Sequence, residues 1–168
     1  MAMMTKEEFL KIYKEEKAEY WIENPTGGLI HINAKVDNPK NITGGIIWNG
    51  ASVLDDARVS DDAQIIGNAC ISDNACVSGN AKVIDNVQIS DSACIGGFAI
   101  ISGNAKVSEY AVVIYNAQIT DNAEISGNVL ISGYTKINGY AVVKGNLQIF
   151  GYADICGNPE FIKNDKPT

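Results

Sequence analysis

The chain has 168 residues and a formal net charge of −7, with 20 acidic side chains, 13 basic ones and a single histidine. An acidic balance of this size disfavours direct nucleic-acid binding, which needs a basic surface, and would sooner meet a basic protein. No stretch approaches the roughly 18 apolar residues of a membrane helix, and aromatics are only 8%, so the core must be thin and finely repeated.

Residues 1–28 read as an N-terminal helix and cap. Thr5-Lys-Glu-Glu8 is a capping-box pattern, in which the Thr hydroxyl accepts from the Glu8 amide while Glu8 reaches back. Phe9, Ile12, Tyr13 and Tyr20 mark one weakly apolar face, predicting a helix over about residues 5–20 that ends at Asn24-Pro25-Thr-Gly-Gly28. The segment lacks the apolar run of a signal peptide, so a cytoplasmic location is expected. Cys70, Cys76, Cys94 and Cys156 form no CxxC pair, and unpaired thiols fit a reducing compartment.

Residues 29–50 are an irregular opening coil. Ala34-Lys-Val36 and Gly45-Ile-Ile47 fit a six-residue pattern whose register slips once between Val36 and Ile47, near Pro39 and Gly44-Gly45. From Ala51 to Asn158 the pattern is unbroken. The third residue of every hexad is Val or Ile, and the first is Ala except at Val87, Val129, Thr135 and Leu147. The last two slots are mostly Gly or Asp followed by Asn, residues that tolerate positive φ at a corner. Strand alternation then turns slots one and three inward and slots two and four outward. Three hexads make one 18-residue coil, so the body is a triangular parallel β-solenoid of six coils, roughly 29 Å long at ~4.8 Å per coil. Residues 159–168 are a C-terminal tail in which Phe161 and Ile162 are expected to cover the last coil. The N-terminal helix is expected to cap the other end, because an open solenoid end exposes unpaired strand edges.

The Ala-x-Ile-x-Gly-Asn repeat resembles the hexapeptide-repeat superfamily, which includes acyltransferases, carbonic-anhydrase-like proteins and members without known activity. The resemblance spans 51–158 and implies an all-β fold, the left-handed parallel β-helix. It also implies trimers packed along a face, and catalysis, where present, by a histidine at a subunit boundary near an extruded loop. The compact size, regular repetition and small caps resemble repeat proteins of bacteria and their phages.

Residues 18 apart stack in columns, and the three faces differ. Face one carries an acidic edge, Asp55, Asp73, Asp91 and Glu109, beside Ser72, Ser90, Ser108 and Ser126. Carboxylates stacked at ~4.8 Å repel unless a cation or a basic partner intervenes. Face two stacks Cys76, Cys94, Val112 and Leu130 outward, with Ile114 and Phe150, and its corner adds Phe98, Tyr115, Tyr134 and Tyr152. Exposed apolar side chains over successive coils mark an interface, so a homo-oligomer, dimer or trimer, is expected. Cys76 and Cys94 are neighbours there, but parallel strands point their Cβ atoms alike, which disfavours a disulfide. Face three is mostly polar, and its Asn68, Asn86, Asn104 and Asn122 corner is expected to form an amide ladder.

Catalytic signals are sparse. His31 is the only histidine and lies in the opening coil between Ile30 and Ile32, a weak candidate for a general base. One histidine cannot supply a three-His zinc set, no nucleophile sits at recognisable spacing, and no phosphate loop is present, so neither metal nor cofactor is expected. The reading that follows is a non-catalytic solenoid that self-associates through its apolar face and binds a protein partner through its surfaces. One alternative is a hexapeptide-repeat acyltransferase using His31. Another is an acidic inhibitor of phage anti-defence type that occludes a nucleic-acid-binding protein, its Asp55–Glu109 row approximating phosphates.

Overall fold

In the computed structural model, which describes residues 4–163, the inward slots are sealed from Ala51 to Val143. Ala and Val/Ile of slots one and three from Ala51 to Val143 are buried, most of them to zero exposure. Each two-residue strand hydrogen-bonds to the coil above: Ser52 N–H donates to Ala69 O and Leu54 N–H to Ile71 O, both at 2.9 Å. The fifth slot makes the corner. Asp55, Asp73, Asp91 and Glu109 sit at φ 56–59, and Gly79, Gly97 and Gly133 at φ 67–77. A hexad therefore delivers one short strand and one turn of a third of a circle. The buried Thr135 is satisfied locally, its Oγ1 donating to Ser132 O at 2.8 Å.

Three flat sheets result. Face one runs from Lys35–Val36 through Ser52–Val53 to Glu160–Lys163, face two from Arg58–Val59 to Gln148–Ile149, and face three from Leu29–His31 to Asp154–Ile155. All rungs are parallel, and within the body every pairing is offset by 18 residues, as in Cys76↔Cys94 and Cys94↔Val112. Face one has eight such rungs, so the solenoid is about eight turns and about 38 Å long, longer than the six perfect coils alone. Two irregular segments supply the difference. Residues 29–50 form a coil one residue short: Leu29↔Ile46, Lys35↔Ser52 and Ile42↔Val59 are all 17 apart, whereas Ile46↔Gln64 is 18 apart. The slip thus falls between Ile42 and Ile47, not at Pro39, which heads a short 3-10 turn capped by Asn38. Gly44 and Gly45 absorb it. A Cβ on Gly44 would run into the Asp61 backbone, and one on Gly45, at φ 79, would lie 2.5 Å from Ala63 O. At the far end Glu160–Lys163 does not fold over the last coil. It continues face one, Phe161 pairing with Val143.

The N-terminal segment also differs from the expected helix over 5–20. The helix α1 covers only Lys6–Ile12, and Tyr13 leaves the helical region at φ −102, ψ 72. Its capping box is present: Glu8 N–H donates to Thr5 Oγ1 and Thr5 N–H to Glu8 Oε2. After a turn and a 3-10 segment, strand β1 (Trp21–Glu23) pairs antiparallel with strand β2 (Leu29–His31) across Asn24–Gly28. The chain breaks its helix early because Trp21 must swing inward. Its Nε1 donates to Glu16, and its ring packs on Phe9 at 4.5 Å between centroids. Phe9, Trp21, Leu29 and Ile46 form a second small core, with Trp48 against it, that seats α1 on the opening coil. Asn24 pins the hairpin, its Nδ2 donating to Pro39 O and Ile42 O. Among the described residues no helix is long and apolar enough to cross a membrane.

Candidate functional site

The apolar residues of face two lie together. Arg58, Cys76, Cys94, Val112, Leu130 and Gln148 are successive rungs of one outward column. Cys94 is exposed, and Cys76, Val112, Ile114 and Leu130 are half-buried against their neighbours. The adjoining corner carries Phe98, Tyr115, Tyr134 and Tyr152, with Phe150 on the last rung, all more than half exposed. Tyr134 and Tyr152 stack with rings parallel at 5.2 Å. Tyr115 is the anomaly. It occupies a fifth slot at φ 62 on a corner that uses Gly79, Gly97, Gly133 and Gly151 on other rungs. An L side chain there costs about 1–2 kcal/mol, and this one is 62% exposed, so the packing it makes in the monomer does not offset that cost. All four cysteines are free thiols. Partial burial, and then Cys94 beside it, push the Cys76 thiol above its ordinary value, and burial does the same at Cys70.

The acidic edge is a ladder rather than a row of free charges. Asp55 N–H donates to Asp37 Oδ2, Asp73 N–H to Asp55, Asp91 N–H to Asp73, and Glu109 N–H to Asp91, at 3.1–3.4 Å. Ser72 and Ser90 donate to the carboxylates that follow them. A backbone N–H offered to Asp55, Asp73 and Asp91 works against the repulsion expected of stacked carboxylates. The same device recurs at other corners, where Gly79, Gly103 and Gly139 donate to Asp61, Asp85 and Asp121. The Asn68–Asn86–Asn104–Asn122 ladder forms as expected, each Nδ2 donating to the next Oδ1 at 3.1–3.2 Å. Among the described residues no group of three or more His, Cys, Asp or Glu is placed to hold a metal ion.

His31 is buried at 6% exposure between the rings of Tyr20 and Trp21. Its Nδ1 accepts from Asn33 N–H at 3.1 Å, so the neutral ring carries its proton on Nε2. Acting as a base would require releasing that contact. A hollow of about 320 Å³ lies over it, bordered by Glu16, Tyr20 and Trp48, whose buried Nε1 has no partner among the described residues. A larger open groove, about 810 Å³, runs between α1 and the solenoid. Met4, Ile12 and Phe98 form its apolar walls, and Lys11, Lys82 and Asp62 lie along it. Sequence periodicity could not show this groove, because α1 lies outside the repeat.

No family model matches the chain, and no curated protein matches it in sequence. Among solved structures it is similar to the acetyltransferase domain of PglB from Neisseria gonorrhoeae FA1090, at a TM-score of 0.60 and 16% identity, over 81% of this chain and 70% of that one. At this identity the likeness is one of architecture: the chain is a left-handed parallel β-helix carrying one short helix.

Proposed function

We propose that the chain is a non-catalytic β-solenoid that self-associates through face two and engages a protein partner through its acidic edge. The observation that carries the first half is the partly exposed apolar column with Tyr115 beside it, an aromatic kept in a strained corner conformation while 62% exposed. Light scattering over a concentration series is expected to give a dimer or trimer, and Val112→Glu with Leu130→Glu a monomer. A wild-type mass that stays monomeric at every concentration rejects it. The second half is tested by capture of partners on the wild type and on Asp73→Asn with Asp91→Asn, which keeps the amide acceptors and removes two charges. Partners held equally by both would show that the acidic edge is only structural.

The fold likeness to an acetyltransferase domain favours a second reading, acyl transfer with His31 as general base and substrate between subunits. Calorimetry with acetyl-CoA, on the wild type and on His31→Ala, decides it. Absent binding, or activity undiminished in the variant, ends this reading.

A further inference from the structure

We propose that Cys76 and Cys94 form a two-coordinate site for one soft monovalent cation, Cu(I) or its redox-inert analogue Ag(I). The two cysteines are a register pair in adjacent parallel rungs of face two, both on its outer side. Parallel Cβ vectors one rung apart stay ~4.8 Å from each other, which is too far and too little convergent for a disulfide, whose Cβ atoms lie ~3.5–4.5 Å apart. That same spacing suits a linear S–M–S bridge. With the ~2.3 Å of a zinc–thiolate bond as the scale for a metal–sulfur bond, the sulfurs of a linear bridge are ~4.6 Å apart, close to one rung.

The surroundings select the ion. Divalent zinc asks for four donors and calcium for six or more, and among the described residues no third His, Cys, Asp or Glu converges here. A digonal d10 ion needs only two, and thiolates are the ligands that favour it. On uptake two S–H groups release their protons to solvent, two S–M bonds form, and no oxidation state changes. The product carries one negative charge. Arg58 lies directly below Cys76 in the same column and offsets it, Asp61 at the neighbouring corner acts in the opposite sense, and Val112 above Cys94 supplies an apolar lid. Because uptake releases two thiol protons, loading strengthens as pH rises. Spacing along the chain hides the pair, since its members are eighteen residues apart and meet only through the coil.

The inference does not rest on self-association, and the two fail separately. The full chain is titrated anaerobically against Cu(I) held by excess bicinchoninate, whose absorbance reports the metal withdrawn. One equivalent per chain is expected. Cys76→Ser and Cys94→Ser should each lose on the order of 100-fold in affinity, while Cys70→Ser and Cys156→Ser keep it. Cys94→Val, which extends the Val112 column and so preserves packing, should lose binding equally. Ag(I) should shield Cys76 and Cys94, and not Cys70 or Cys156, from iodoacetamide. No uptake, half an equivalent per chain, uptake that survives either Ser variant, or loss of uptake in Cys70→Ser overturns the site. Cys76 and Cys94 lie in the proposed association column, so the iodoacetamide comparison is made on the dilute Val112→Glu with Leu130→Glu variant as well as the wild type. The titrations do not read the mass of the assembly, which light scattering tests alone.

Discussion

At the fifth slot of each hexad, a residue must accept positive φ, and apart from Glu109 the chain meets this demand in three ways. Gly does it at no steric cost, Asp does it while catching the next coil's amide, and Tyr115 does it with no evident local return. The contrast makes two substitutions informative. Tyr115→Gly should raise the stability of the dilute monomer by roughly 0.5–1 kcal/mol, the relief of strain less glycine's extra chain entropy, while weakening association. Urea denaturation at low concentration and light scattering at high concentration report the two effects. Asp73→Ala should cost about 1–2 kcal/mol, losing an acceptor for Asp91 N–H and adding strain at φ 59. Asp73→Asn keeps both features and should match the wild type within about 0.5 kcal/mol. Equal losses in the Ala and Asn variants would mean that charge, not the ladder, is what the edge contributes.

Elements outside the repeat obey different rules, and helix α1 shows it. Seven residues are too few to be helical alone, so the helix depends on Phe9 in its aromatic nest and on the capping box. The Thr5 backbone and side-chain donors hold the Glu8 carboxyl below its ordinary range. A carboxyl depressed in the folded state stabilises above its unfolded value, near 4.3 for Glu, and that contribution fades as pH falls through the folded value. Lowering pH from 6 to 3 should therefore reduce the protection of amides in residues 6–12, taken relative to the intrinsic exchange rate at each pH, before that of the solenoid falls. Glu8→Gln should remove the acid-dependent part. If the variant keeps the same pH profile, the capping carboxylate is not its source. This helix also marks the boundary of what could be read from residues alone. The solenoid, its columns and the Asn ladder were legible because one rule repeats eighteen times and each hexad checks the others. The Trp21–Trp48 nest, the β1–β2 hairpin and the groove beside α1 occur once and leave no period. The opening coil was legible as irregular with one slip, but its place was not, because losing one residue at Gly44–Gly45 shifts every preceding rung from an 18-residue to a 17-residue offset. The last rung hid because Glu160–Lys163 keeps the register without the Ala and Gly-Asn signature.

Over the whole molecule, a solenoid's stability is a sum of rungs and their interfaces, and its ends set where opening begins. The two ends differ. At the N-terminal end β1 pairs with the first rung of face three, and Phe9, Trp21 and Trp48 pack over it. At the other end the inward residues Leu147, Ile149 and Ile155 are only partly buried, and Phe161 is 43% exposed, whereas the inward residues of the middle rungs are sealed. Each incompletely buried branched side chain forgoes part of the roughly 1.5–3 kcal/mol that full burial supplies. Opening should therefore proceed from the C-terminal end. Hydrogen exchange followed by mass spectrometry should show residues 148–163 exchanging at least about tenfold faster than 88–131. Residues 29–31 and 46–47, under the aromatic cap, should be protected nearly as well as the middle, with Ala34 and Val36 less so. An association through face two would cover Phe150 and Tyr152 but not residues 153–163, so the gradient should stay in place there. Dilution should then change protection around Cys94, Val112 and Leu130 while the gradient from end to end persists. A gradient running the other way, or even protection along the whole solenoid, would show that the N-terminal segment does not act as the cap.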